Sequence, residues 1–243
     1  MNKARPKITS FDFPPGRIIA RKYAIEKFLG SGTEGEVYKV KETRTGFPRA
    51  AKLFFPQANK HDRAATHYAR KLERLRDCDI VIQYHHVESI TVRRVPITCL
   101  VSEYVEGVLL DELIKSFRGR RMPPFEALHL IYNICCGLEK IHARKEFHGD
   151  LHPSNIMVKR RGIFFDVKII DFHSWGRSAA VERREDILSV IHLLHEIVGG
   201  RKTYASQPPE VKSVCLGLRR DLIGRKFPTA SHLRLHLESF IWH

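Results

Sequence analysis

The chain is short of several features, and each shortage removes a class of function. Its five cysteines are an odd number and include no C-x-x-C pair. Neither a disulfide framework nor a thiolate zinc site is encoded, and a reducing, cytoplasmic setting is expected. There is no long apolar run. The longest, ILSVIHLLHEIV, is interrupted by histidines and a glutamate, and is too short and too polar to span a bilayer. The opening residues, MNKARPKITSFDFPPG, lack the apolar core of a secretory signal. No internal repeat or low-complexity linker occurs. Acidic residues are scarce beside basic ones, 27 against 42, giving a net charge of +15. This balance favours anionic partners: nucleotides, nucleic acid, or an anionic membrane or glycolipid surface. Aromatic and basic residues do not interleave, so nucleic acid is not the expected partner.

What is present is an ordinary folded protein. Hydrophobic content is 43% and charged content 28% over 243 residues, enough for one large domain or two small lobes. Residues 1–16 read as a flexible basic arm ending in the turn Pro14-Pro15-Gly16. Strand-like segments follow, YAIEKFL, EVYKVKET and RAAKLFF, with TRTGFP as a turn. A polar helix is expected near residues 60–77, then two more strands, IVIQYHHVESITV and ITCLVSEYV, which place His85 and His86 on a strand. The character changes at a seam near Glu106-Gly107, separating a strand-rich region (17–106) from a helix-rich one (107–243). LLDELIKSF reads as a short helix. Pro123-Pro124 open a longer one, with Phe125, Leu128, Ile131, Cys135, Leu138 and Ile141 at helical spacing. IMV and FFDVKII form a hairpin about RRG, and REDILSVIHLLHEIVGG is a buried helix closed by glycine. On that helix His192 and His195 are read as packed imidazoles rather than a metal pair. Cys135 and Cys136 are read as small core residues.

Four stretches carry chemistry. In LGSGTEGEV, Gly30, Gly32 and Gly35 form G-x-G-x-x-G. No helix follows, since EVYKVKE alternates, so the turn joins two strands rather than opening a dinucleotide-binding helix. Such a turn lays backbone N–H groups over phosphates, because glycine lacks the Cβ that blocks close approach. On the next strand Lys52, behind Ala50 and Ala51, wants an anionic partner. HGDLHPSN gathers His148, Asp150, His152 and Asn155 in eight residues, and IIDFHSWG sets Asp171 at the end of an apolar strand. Asn155 and Asp171 offer the hard oxygen donors that suit Mg²⁺ beside polyphosphate, leaving Asp150 as a base for an acceptor hydroxyl.

This set, in this order, resembles the protein-kinase-like superfamily from about Tyr23 onward. The resemblance implies an α+β, bilobal fold with an antiparallel-sheet N-lobe and a mainly helical C-lobe, and an ATP- and Mg²⁺-dependent phosphotransferase. It implies that Gly30, Ser31, Gly32, Thr33 and Gly35 cover the phosphates, that Val37 and Ala50 line the nucleotide site, and that Lys52 contacts the α- and β-phosphates. It makes Asp150 the base and Asn155 and Asp171 the metal ligands. Within the hinge-like LVSEYVEG, Ser102 gates a back pocket, while the Glu103 carbonyl and Val105 amide bond adenine. Asp186 matches the helix aspartate that braces the catalytic loop.

Departures at four places in the family pattern bear on activity, two of them residues of the same loop. Tyr68 stands where the family has a glutamate facing the lysine; Glu73 lies about 140° further round that helix. Gly149 replaces an arginine that receives activation-loop phosphates. His152 replaces a lysine and donates to the γ-phosphate only when protonated. His173 replaces the glycine of D-F-G, and its Cβ restricts the Asp-Phe pair. Finally, Asp171 and Asp186 are only fifteen positions apart (186 − 171), and no A-P-E occurs. Trp175 either plugs this shortened segment or simply packs. A protein serine or threonine is the preferred acceptor. A small anionic molecule or glycolipid, as HGDLHP suggests, and a pseudokinase acting as a binding module are the alternatives.

Overall fold

The computed structural model describes residues 7–162, 164–174 and 176–241. Trp175, and residues 1–6 of the expected N-terminal arm, lie outside the described residues. The chain divides into two compact units. One holds the residues up to Arg76 together with Ile82–Val105; the other holds Asp77–Val81 and everything from Glu106.

The first unit is built on a six-stranded antiparallel sheet with one helix. Its strands are β1 (Ile18–Ile19), β2 (Tyr23–Ser31), β3 (Gly35–Glu42), β4 (Pro48–Phe54), β5 (Tyr84–Val92) and β6 (Val95–Glu103), in the order β1-β2-β3-β4-β6-β5. Helix α1 spans Arg63–Arg74. Its first turn is capped from a distance: the Asn59 side-chain oxygen accepts from the Ala65 N–H at 3.1 Å. Ala65, Tyr68, Ala69 and Leu72 are its buried apolar residues.

Register sorts the sheet into two faces. Val37 pairs with Lys52, Lys39 with Ala50, and Ala50 with Ser102, so these residues share one face. Tyr38, Val40, Ala51, Leu53, Cys99 and Val101 share the other, which is the apolar cluster of this unit. The expected flexible arm contributes to that cluster. Ile8, Phe11 and Phe13 are all buried there, with Phe11 stacked on Phe55 at 5.3 Å and Phe13 against Tyr38 at 5.6 Å. Burying each such side chain is worth roughly 1.5–3 kcal/mol, which outweighs the freedom that the basic residues and the Pro-Pro-Gly turn suggested. A buried carboxylate fastens the segment. Glu36 accepts from the Tyr38 hydroxyl at 2.5 Å and from the Phe11 N–H at 3.2 Å. Burial, then the bond to Glu36, pushes the Tyr38 phenol well above its ordinary pKa, so it stays a donor.

The second unit is mainly helical: α2 (Leu110–Ser116), α3 (Pro124–Ala143), α4 (Ala179–Ile197), α5 (Pro209–Cys215), α6 (Arg220–Lys226) and α7 (Ala230–Glu238). Three short strands, β7 (Val108–Leu109), β8 (Ile156–Arg161) and β9 (Phe164–Ile169), pair antiparallel in chain order. Pro124 starts α3, where its missing N–H costs nothing. Leu128, Ile131, Cys135, Leu138 and Ile141 are buried as their spacing predicts; Phe125, the first of the series, is exposed. Helix α4 buries Ile187, Val190, Ile191 and Leu194 and stops before Gly199, whose φ of +106° suits glycine.

The apolar run from Ile80 is not one strand. Regular pairing of β5 begins only at Tyr84. Ile80 and Val81 belong to the second unit, where the Ile169 N–H donates to the Ile80 carbonyl at 2.7 Å and Val81 bridges Ile169 in parallel. Gly137 of α3 makes room for them: a Cβ there would sit 2.5 Å from the Ile80 side chain. No helix among the described residues is long and apolar enough to cross a membrane.

Candidate active site

The residues singled out in the sequence fall into two sets, one in each unit. The first lies along the Lys52 face of the sheet. Gly30 and Ser31 end β2, Gly32, Thr33 and Glu34 make the turn, and Gly35 opens β3. The Gly32 N–H donates to the Gly35 carbonyl at 2.9 Å, which closes the turn. Gly35 has no substitute: a Cβ would lie 2.0 Å from the Leu53 carbonyl oxygen, inside any contact distance. Around Gly30 and Gly32 there is open space instead. Val37 and Lys52 are cross-strand partners, and Ala50 lies two residues from Lys52 on the same face.

Lys52 is held from two sides within this unit. Its Nζ is 3.1 Å from the Glu34 carboxylate and 4.9 Å from the centroid of the Tyr68 ring. Tyr68 therefore stands toward the lysine, where a family glutamate was expected and an aromatic face is found. Glu34 was not singled out by the sequence. At the other end of the face, Ser102 is buried and its hydroxyl donates to the Glu103 carbonyl at 3.4 Å. The Glu103 N–H donates to the Gln83 carbonyl at 2.9 Å, and Val105 follows two residues past the end of β6.

The second set lies on the loop linking α3 to β8 and on the segment after β9. Three hydrogen bonds join these two stretches. The His148 ring Nε2 donates to the Ile170 carbonyl at 2.8 Å, the Ile170 N–H to the Asn155 carbonyl at 3.0 Å, and the His173 N–H to the His148 carbonyl at 2.9 Å. Asp150, Asn155 and Asp171 are thus anchored to one backbone frame. The Asn155 side-chain N–H₂ donates to the Asp150 carbonyl at 2.9 Å and to its carboxylate at 3.4 Å, which fixes that amide with its oxygen turned the other way. Asp150 and His152 are both about half-exposed, with 3.6 Å separating carboxylate and imidazole. Asp171 holds a left-handed backbone, φ +57°, a conformation that non-glycine residues adopt at a cost and that clusters at functional sites.

Asp186 is the brace. It is 1% exposed, and its two carboxylate oxygens accept from the backbone N–H groups of His148 and Gly149, both at 2.8 Å, and from the His142 ring at 3.0 Å. His142 was not foreseen; nothing about a histidine in the last turn of α3 announces a partner 44 residues later. Gly149 adopts φ +86°, and a Cβ would meet the His173 carbonyl oxygen at 2.3 Å. Gly149 is therefore packed against the backbone of residue 173.

With this geometry in place, comparison with known proteins gives the class. Residues 23–211, more than half of the chain, match the protein kinase domain model, and the chain belongs to that family. It is 30% identical over 159 residues to a probable serine/threonine-protein kinase of Streptomyces coelicolor, covering 64% of this chain and 23% of that protein. It is 29% identical over 161 residues to CBL-interacting protein kinase 30 of rice, Oryza sativa subsp. japonica, covering 64% of this chain and 31% of that one. Against serine/threonine-protein kinase PknD of Chlamydia pneumoniae the figures are 26% over 200 residues, 75% and 20%. The chain thus spans a third or less of the length of these relatives. Among solved structures, a double mutant of the Mycobacterium tuberculosis PknI kinase domain superposes with a TM-score of 0.65 at 17% identity, covering 93% of this chain and 97% of that one. That likeness establishes the α+β kinase fold. The family in general uses ATP and a divalent metal.

Proposed function

We propose that the protein is an ATP- and Mg²⁺-dependent phosphotransferase that passes the γ-phosphate to an acceptor hydroxyl. The observation that carries this reading is the three-bond frame joining residues 148–155 to 170–173, which anchors a candidate base and two candidate metal ligands together. In this reading the turn from Gly30 to Gly35 covers the phosphates, with Val37 and Ala50 lining the nucleotide site. Lys52 contacts the α- and β-phosphates, and Glu103 and Val105 bond adenine. Asn155 and Asp171 would hold the metal. The donor set suits it: an amide oxygen and a carboxylate leave coordination positions for water and phosphate oxygens, as Mg²⁺ prefers. Among the described residues no cluster of three or more His, Cys, Asp or Glu offers a self-sufficient cage instead. Bound Mg²⁺ supplies charge neutralisation at the phosphates. Asp150 takes the proton of the acceptor hydroxyl, and His152, beside it, donates toward the phosphoryl oxygens.

The preferred acceptor is a protein serine or threonine, in line with the bacterial serine/threonine-protein kinases that the chain resembles. One observation favours a small-molecule acceptor: α4 begins at Ala179, so only residues 172–178 separate Asp171 from that helix, leaving little chain to build a peptide shelf. The deciding experiment is transfer of labelled phosphate from ATP, first to generic protein substrates, then to polyols and aminosugars. Asp150→Ala should lower turnover by about 10²–10⁴-fold while nucleotide binding persists. Transfer that survives Asp150→Ala, or no transfer to any acceptor class, overturns the reading; nucleotide binding without transfer marks a binding module.

A further inference from the structure

The end of the six-stranded sheet remote from the glycine turn carries two hairpin turns that are tied together. One joins β1 to β2 and the other β3 to β4. The Thr43 N–H and hydroxyl both donate to the Lys22 carbonyl, at 2.8 and 3.0 Å. The first turn is tight: Ala20 and Arg21 hold left-handed backbones, φ +48° and +56°, and the Lys22 N–H donates to the Ile19 carbonyl at 3.1 Å. The second is closed by the Gly46 N–H on the Glu42 carbonyl and the Glu42 N–H on the Phe47 carbonyl, at 2.8 and 2.9 Å. Each turn shows an apolar side chain to solvent, Ile18 at 52% exposure and Phe47 at 56%. Basic residues surround them. Arg49 lies over the Phe47 ring at 5.6 Å, Lys41 runs beside Gly46, and Arg21 and Arg44 are exposed on the turns themselves. Among the described residues none of these four cations has a carboxylate partner. The two carboxylates at this end are engaged, Glu88 by Lys22 at 2.5 Å and Glu42 by the Thr45 hydroxyl at 2.7 Å.

We infer that this end of the strand-rich unit docks on an anionic lipid surface. A lone exposed apolar residue is ordinary, and so is a solvated charge. Here two apolar tips and four unpaired cations share one fixed edge. Turn tips are convex and suit a flat surface that yields. A polypeptide partner is held in a groove or along a strand edge, and β1, the edge strand here, is only two residues long. A nucleic-acid backbone would use the charges but not Ile18 and Phe47. At a bilayer both are used: the apolar tips enter the boundary between headgroups and acyl chains, and the arginines and lysine stay level with the anionic headgroups. The turns are already ordered, so docking costs little chain freedom. The contact leaves the glycine turn, at the other end of the sheet, clear.

The test is flotation of the full chain with vesicles of phosphatidylcholine alone and of phosphatidylcholine with about one third phosphatidylserine, in low and in high salt. The expected result is binding to the anionic vesicles alone, lost in high salt. Arg21→Gln with Arg44→Gln should weaken it about 25-fold, each charge near the surface being worth about fivefold. Phe47→Ser should weaken it about five- to tenfold by removing an apolar anchor. Arg93→Gln with Arg94→Gln removes as much charge from the β5–β6 turn, at the opposite end of the sheet, and should change binding less than about twofold. All five positions are exposed, and thermal melts check that the variants fold. Absence of binding to anionic vesicles overturns the proposal. An equal loss in the Arg93 and Arg94 variant does so too, because net charge alone would then be acting. Full binding by Phe47→Ser also overturns it, because the tips would then stay in water. A DNA duplex or polyglutamate that binds through Arg21 and Arg44 while vesicles do not would give the surface to another class of partner.

Discussion

Asp186 commits both carboxylate oxygens to backbone N–H groups and an imidazole, whereas Glu34 places its carboxylate on the Lys52 ammonium. The first is 1% exposed and holds two backbone N–H groups and an imidazole. The second is partly exposed and holds one ammonium. A buried acceptor of backbone bonds fixes a loop, because opening it would strand several polar groups away from water. A single ion pair to a partly exposed carboxylate holds no backbone group in this way. The loop at His148 and Gly149 is therefore firmly held within its unit, and the Glu34 side chain is the more loosely held in its own.

Four measurements break or sharpen this contrast. The largest effect belongs to Asp186→Ala, which removes the acceptor of two backbone N–H groups and His142 at once. Urea unfolding should show a loss of about 3–5 kcal/mol, and Asp186→Asn should recover part of it. A loss below about 1 kcal/mol would mean that the catalytic loop does not depend on its brace.

Next comes Gly149→Ala. The left-handed backbone and the 2.3 Å approach to the His173 carbonyl oppose any Cβ, so a destabilisation of about 2 kcal/mol is expected by the same assay. Gly149→Arg, which restores the family's usual residue, should fare no better. Wild-type stability in either variant would show that the contact yields easily.

A smaller loss, about 1–2 kcal/mol, is expected for Glu36→Gln, because the amide is a weaker acceptor for the Tyr38 hydroxyl and the Phe11 N–H. Hydrogen exchange locates the damage: the Phe11 amide should lose protection while those of His148 and Gly149 keep theirs. Equal loss in both places would contradict the separation drawn above.

The smallest effect is one of pH. Burial lowers the pKa of His85, His195 and His236, helped by neighbouring charge from Arg49, His192 and Lys226 respectively. The unfolded chain then binds more protons than the folded one below the free imidazole pKa of about 6.5. The stability these residues contribute is full above that pH and lost as pH falls through their lowered folded values. Melting temperatures from pH 7.5 to 5 should fall less steeply when the three are changed to glutamine; an identical slope would assign the acid loss to other groups.

Much of this was legible in the chain because it is local. Glycine spacing, a lysine behind two alanines and eight residues with two histidines, an aspartate and an asparagine are patterns within short windows. So is the helical period that marks α3. What escaped depends on pairs far apart or on loop shape. Glu34 sits inside the quoted glycine motif, yet only the turned backbone brings it to Lys52. The arm at residues 7–13 was read by its charge and its prolines, while Ile8, Phe11 and Phe13 dictated its fate through a buried glutamate 25 residues from Phe11. Gly149 read alone as a lost family residue; its close approach to the residue 173 backbone carbonyl shows only in the fold. Ile80 and Val81 looked like the start of β5 because apolar residues continue there, and periodicity does not say which unit an apolar residue joins.

That last pair has a consequence for anyone dissecting the molecule. A fragment starting at Glu106 would carry helices α2 to α7 and still be incomplete. The notch at Gly137 would stand open, and the Ile169 amide would lose the carbonyl it donates to. The five residues Asp77–Val81 are a detachable plug in sequence but not in structure, so such a fragment should need them back, supplied as a separate peptide or spliced to its front, before it holds its shape.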